Sequence, residues 1–324
     1  MSVACIGEVV VDWLAAEPVE NLDEARNFCR SLGGNASNVA IGLCRLGTGA
    51  KLIGKVGRDL HGHYLTEILR REGVDIRHLL VDSLHPTAQC YVVTDADGDH
   101  TFYNWPQPHA ADMLCLEELS YETLIGAEAV HATGISLIVD PRRSTVLRTM
   151  ATAADNGLVV SFDACFPSGR DAHAKRPVEE AMAMATIVKV NKRELILWSG
   201  AGPDSSIEQM AEALFARYQP LAVAVTLGPA GSHIRTRAGA VDCRPFTVDA
   251  VNGVGAGDGF IAGLLHALNR RLGGQIAAGA LKELGLEDWG QAGTFANAVG
   301  ALATRSLSAS ESLPRASEVS ALMR

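Results

Sequence analysis

The sequence predicts an α/β protein with a mainly parallel central sheet and helices on both faces, and three observations carry that expectation. Short apolar runs alternate with amphipathic segments along most of the chain. A glycine-rich turn in the last third runs straight into an apolar helix. Two β-prone stretches, 12–32 and 88–105, break the alternation and are too short to stand alone. They read as a small discontinuous β lid over the ligand-bearing edge of the sheet.

The individual elements follow from periodicity and turn chemistry. Residues 3–11 form a β-branched run that reads as the first strand, and the pair Gly33-Gly34 opens a helix over 36–46. Further strands fall on 51–56, 129–133, 159–163, 187–190 and 221–227, with helices over 64–72 and 145–156. Asp97-Gly98 suits a tight turn between the runs 89–93 and 101–103, so that stretch reads as a hairpin. The length of 324 residues allows one large domain, 1–324, with the lid inside it.

Composition removes several function classes. A net charge of −9 leaves no broad basic surface for a nucleic-acid backbone. No apolar run approaches the roughly 18 residues that a membrane span needs, so no membrane partner is expected. The seven cysteines are odd in number and contain no C-x-x-C pair, which implies reduced thiols and a cytoplasmic location. No secretory leader is expected from the N-terminal run. The histidines show no zinc-ligand spacing.

The strongest chemical signal is V-N-G-V-G-A-G-D-G-F-I-A-G-L-L-H-A-L at 251–268. Glycines let a backbone approach a ligand closely, and the first N–H groups of a helix lack internal partners, so such a turn can hold an anion. Asp258 is then placed to accept the proton of an attacking hydroxyl, while the amides of Gly255, Ala256 and Gly257 stabilise a transferring phosphoryl group. The same residues also make an ordinary helix start, and the turn alone does not decide between the two. A Walker-type loop and the dinucleotide fingerprint G-x-G-x-x-G are both absent.

The segment resembles the C-terminal signature D-T-T-G-A-G-D of the ribokinase-like, PfkB-type carbohydrate kinases. Their N-terminal signature is matched by L-G-G-N-A-S-N-V-A-I-G-L-C-R-L-G at 32–47, in the family's order. Asn191 to Glu194 resembles the family's N-x-x-E, and 225–231, V-T-L-G-P-A-G, resembles its nucleotide-binding strand and turn. The resemblance spans nearly the whole chain. It implies a ribokinase-like three-layer α/β/α sandwich with a β lid, ATP as donor and Mg2+ as the divalent ion.

Residue by residue, the resemblance implies Asp258 as catalytic base with Gly255, Ala256 and Gly257 as its anion hole. Asp12, Gly33, Gly34 and Asn38 match sugar-contacting positions, and Gln89 and Tyr103 belong to the lid strands that close over the acceptor. Asn191, Glu194, Thr226, Gly228, Gly231 and Asn297 match the nucleotide side, with Glu194 ordering Mg2+ through water. For Asp12, Asn38 and Asn297 the residues alone equally allow a turn, a cap or a satisfied helix amide. Asp163 ends a strand near the phosphates, and Cys165 reads as a buried thiol.

The lid segment D-H-T-F-Y-N-W, then A-D-M-L, is similar to the fructokinase-like branch, with Asn104 where that branch often has Arg. Fructose to fructose 6-phosphate is the leading expectation. Other acceptors are 2-keto-3-deoxygluconate, another modified ketose such as sulfofructose, or a nucleoside. Outside the kinase class the alternative is a catalytically silent sugar- or nucleotide-binding regulator. Asn252-Gly253-Val254 replaces D-T-T, whose Asp and Thr help bind a monovalent cation in relatives, so the resemblance leaves K+ as a further cofactor open. A homodimer through the lid is the implied assembly.

Overall fold

Fully buried parallel strands need apolar side chains on both faces, and the central strands of this chain supply them except near the C-terminal ends of one face. Val3 and Cys5 enter one apolar layer while Ala4 and Ile6 enter the other. The computed structural model describes residues 2–95, 100–105, 107–165, 172–202 and 204–324. Its strands are β1 (Ser2–Ile6), β2 (Val10–Ala15), β3 (Phe28–Gly33), β4 (Gly49–Gly57), β5 (Leu79–Asp82), β6 (Ala88–Thr94), β7 (His100–Trp105), β8 (Ala129–Thr133), β9 (Val159–Asp163), β10 (Ile187–Asn191), β11 (Ala222–Thr226), β12 (Ser232–Thr236) and β13 (Gly239–Cys243).

The large sheet runs β13-β12-β11-β10-β9-β8-β1-β4-β5. It is parallel from β5 to β11, with β12 and β13 added antiparallel at one edge. Helices Asn35–Leu46, Ala256–Arg271 and Leu286–Leu302 cover one face, and Arg142–Asp155, Ala172–Met184, Lys192–Ser199 and Ile207–Tyr218 cover the other. Among the described residues this is a three-layer α/β/α sandwich.

The run 3–11 is not one strand. β1 stops at Ile6, the chain turns through Gly7, and β2 joins a separate four-stranded sheet in the order β3-β2-β6-β7. Both halves are β-prone, and Gly7-Glu8 between them is where the chain leaves the large sheet. The turn expected at Asp97-Gly98 lies outside the described residues.

Strand order reverses between β1 and β8. From β1 the chain builds outward to β4 and β5, and from β8 outward through β9, β10 and β11. In open α/β sheets the crevice outside the carboxyl ends at such a reversal is where ligands bind. Glu8, Asp163, Asn191 and Thr226 all lie at or just past those ends.

Candidate active site

Gly255 sets the conformation of the glycine-rich turn at 255–258. It caps helix Ala256–Arg271 in the left-handed region, at φ 84°, and a Cβ there would stand 2.6 Å from that of Ala309. A side chain would therefore be strained and crowded at once. The turn is tied down from behind: Val251 and Asn252 donate backbone N–H groups to the Thr304 carbonyl at 2.8 and 3.0 Å. Asp258 falls in the first helical turn.

Asp258 is 5% exposed and lies between two amides of helix Asn35–Leu46. Asn38 donates Nδ2–H to Oδ2 at 2.8 Å, and Asn35 donates Nδ2–H to Oδ1 at 3.2 Å. Burial pushes the carboxyl up to about 7; the Asn38 hydrogen bond and Lys189 oppose this, while Asp163 and Glu8 add to it. Asp12, on β2, is also pushed up to about 7, by burial and then by the charge of Asp258. Its carboxylate folds over the Cα of Gly33, where a Cβ would collide with it.

Gly34 caps helix Asn35–Leu46 at φ 97°, with the Glu8 carbonyl 2.5 Å from where its Cβ would be. Glu8 accepts from the Asn35 N–H at 3.2 Å and from the Ser136 hydroxyl at 2.6 Å. The glycine pair thus lets a carboxylate and a backbone turn meet at the mouth of β1. Ser31 on β3 meets Ser308 and Ser310 through hydroxyl contacts, and Ser310 donates to the Leu32 carbonyl at 2.7 Å. Those serines flank Ala309, so the small sheet and the glycine-rich turn share one support.

On the other side, Asn191 and Glu194 form a reciprocal capping box at the start of helix Lys192–Ser199. Glu194 N–H donates to Asn191 Oδ1 at 2.9 Å, and Asn191 N–H to Glu194 Oε2 at 2.7 Å. Strand register puts Asn191 beside Thr226, and the turn through Gly228 and Gly231 is closed by Leu227 N–H on the Gly231 carbonyl at 2.8 Å. Asn297 faces that turn, with Nδ2 3.3 Å from the Cβ position of Gly231. Its amide hydrogens go to the carbonyls of Cys243 and Arg244, both at 3.0 Å, so it fastens β13 to helix Leu286–Leu302. Between the two groups lies a buried ion pair, Lys189 Nζ with the Asp163 carboxylate at 2.9 and 3.1 Å.

Residues 1–316 match the pfkB family carbohydrate kinase profile. The chain belongs to that family. The kinase is 35% identical to fructokinase-1 of Oryza sativa subsp. japonica, over 99% of this chain and 97% of the relative. It is 32% identical to the probable fructokinase-4 of Arabidopsis thaliana, over 99% and 96%. Among solved structures it is similar to the fructokinase of Xylella fastidiosa with bound ATP (TM-score 0.87, 26% identity, 99% of this chain and 98% of that one). It is also similar to that of Vibrio cholerae O395 bound to fructose, ADP and calcium ion (TM-score 0.83, 28% identity, 100% and 99%).

Two expected acceptor residues of this kinase do not join the cluster. Register pairs Val11 with Gln89, and Trp13 with Tyr91 and so with Tyr103. Trp13 Nε1–H donates to Gln89 Oε1 at 2.9 Å and its ring stacks on Tyr91, which fixes their common face. Asp12, one residue away, points to the opposite face by the pleat of the strand. Gln89 and Tyr103 are thus on the side of the small sheet away from Asp12. Conversely, Glu8, Asn35 and Lys189 stand in the cluster without having been singled out. A lysine inside the apolar strand I-V-K-V-N was the signal available for the last.

Proposed function

We propose that this carbohydrate kinase transfers the γ-phosphoryl group of MgATP to a primary hydroxyl of fructose, giving fructose 6-phosphate. The observation that carries the reading is Asp258: a buried carboxylate with its pKa raised to about 7, oriented by Asn35 and Asn38 in the first turn of a helix whose N-terminus meets the crevice. The chemistry needs little more than position and field. Asp258 takes the hydroxyl proton as the oxygen attacks, and the Gly255–Gly257 amides face the charge on the transferring group. Asp12 accepts from sugar hydroxyls, and the buried Oδ1 of Asn38, unpartnered among the described residues, is a second acceptor. Fructose as acceptor is supported by the fructokinase relatives and by the Vibrio cholerae structure's bound fructose.

Thr226, Gly228 and Gly231 line the nucleotide end in this reading, with Asn297 holding their turn in place. Mg2+ fits the residues present. Such an ion takes one or two carboxylates and keeps several waters, and Glu194 offers one buried carboxylate beside Asn191 at the end of β10. When bound, the ion neutralises charge on the phosphate oxygens. K+ is left open and is decided by the potassium arm of the assay below. Asn252 accepts from Val254 N–H at 2.7 Å and donates Nδ2–H to the Leu307 carbonyl at 3.3 Å, so a neutral amide already bridges the loop.

The small sheet is the lid in this reading, and a second copy of the chain pairs through it: β3 and β7 are sheet edges, and Phe102 is 51% exposed. A reducing, cytoplasmic setting is supported by seven cysteines that are all free thiols. The deciding experiment is an ATP-consumption assay with Mg2+ over fructose, 2-keto-3-deoxygluconate, sulfofructose and nucleosides, with and without potassium. Fructose is expected to give the highest kcat/KM at either potassium level. A better rate on another acceptor overturns the substrate, and no turnover on any of them overturns the kinase reading.

A further inference from the structure

Strand β10 places a lysine where alternation calls for an apolar side chain, since Ile187, two residues earlier on the same face, is core. Lys189 and its partner Asp163 on β9 have side chains only 5% and 2% exposed. Removing two charges from water costs several kcal/mol per ion, and an apolar pair of similar volume is often as stable. Stability therefore does not explain the pair, whereas its location does.

A Cβ on Gly257 would lie 2.9 Å from Lys189 Nζ and 3.9 Å from the Asp163 carboxylate. The pair thus turns its positive end to the first turn of helix Ala256–Arg271, where the N-terminal end of the helix dipole already favours anions. Glycine at 257 is what leaves room for the ammonium. His131, on the same sheet face in β8, is pushed down to about 3 by burial and by Lys189, and its Nδ1 meets the Ser161 hydroxyl at 3.1 Å. It is neutral, which leaves Lys189 as the cation behind the turn. The charged and titratable groups acting on Asp258 from the elements around it are Glu8 after β1, Asp12 on β2, Asp163 and Cys165 at the end of β9, and Lys189 on β10.

We propose that Lys189 is a positioning residue for phosphoryl transfer: locked by Asp163, its ammonium backs the Gly255–Asp258 turn with a fixed positive charge that stabilises the transferring phosphoryl group. The proposal rests on the kinase reading above. A charge preorganised behind the donors strengthens them without reorganising during the reaction. Asp163 sets the direction of that charge, and Gly257 sets its distance.

The test is the acid limb of the kcat/KM profile, measured on the full chain with ATP, Mg2+ and fructose. Lys189→Met is expected to move the limb to higher pH and Asp163→Asn to lower pH, each by about one unit, because the two charges act on Asp258 with opposite sign. Plateau kcat of Lys189→Met is expected to fall about tenfold or more, with KM for the sugar little changed. The double variant Lys189→Met/Asp163→Leu leaves no orphaned charge and is expected to recover the melting temperature but not the rate. Lys189→Arg keeps the cation and the wild-type limb, which serves if the methionine variant does not fold. Limbs that stay fixed or move the same way in both single variants overturn the proposal, as does recovery of kcat in the double variant. Failure of the kinase reading shows separately, as wild-type protein that phosphorylates no acceptor.

Discussion

Asp258 answers to opposing influences, and its titration makes them measurable. With a carboxyl raised to about 7 by burial, the ionised carboxylate that the proposed mechanism uses is lost as pH falls through that value, so kcat/KM is expected to drop on the acid side. Asp12 titrates in the same range beside it, so the limb measured belongs to the pair. Asp258→Asn is expected to bind ATP normally and to lose about a hundredfold or more in turnover, read by ATP titration and steady-state kinetics. The same substitution has a predicted sign in stability. A carboxyl raised in the folded state contributes stability below its ordinary value of 3.8, and that contribution is lost as pH rises through about 7. Asp258→Asn should therefore melt above wild type at about pH 8, with the advantage vanishing near about pH 4. In the sequence Asp258 was legible because glycines and a helix start surround it. Glu8 and Lys189 were not, since a single charged residue in an apolar run does not reveal what faces it: the partner of Lys189 lies in the preceding strand of the sheet.

Among the elements, the turn at Gly255 and the small sheet carry separate expectations. Gly255→Ala places a side chain at φ 84° and against Ala309, and is expected to cost about 1–3 kcal/mol in chemical denaturation and most of the activity. Adding Ala309→Gly removes the Cβ–Cβ clash but leaves the Cα of residue 309 at 2.9 Å and the backbone strain, so it should restore only part of the loss. For the pairing proposed through the small sheet, wild type is expected to sediment as two chains and Phe102→Ser as one; wild type sedimenting as one chain, or a Phe102→Ser variant sedimenting as two, overturns that pairing. Alternation told which residues of this sheet share a face, but not which face meets the crevice. That is why Gln89 and Tyr103 could be placed in strands without its being visible that they share the face opposite Asp12. Gly7 marks a related limit: Gly7-Glu8 interrupts the apolar run, yet such an interruption reads equally as a bulge and does not say that the chain changes sheet.

At the scale of the molecule, the strand reversal between β1 and β8 gathers the site. The class of fold was legible in the rhythm of strands and helices, whereas the order of strands depends on crossovers that no local pattern encodes. The sheet itself divides labour. On one face Val130, Phe162, Val188 and Val190 stay apolar to the strand ends, while on the other His131, Ser161, Asp163, Lys189 and Asn191 turn polar as they approach the crevice. A thermostability programme can therefore draw its substitutions from the first face alone. Volume-conserving exchanges such as Met150→Leu, which faces that apolar layer from helix Arg142–Asp155, should shift the melting point while the catalytic constants hold. The enzyme comes with its own partition between what an engineer can rewrite and what must be left alone.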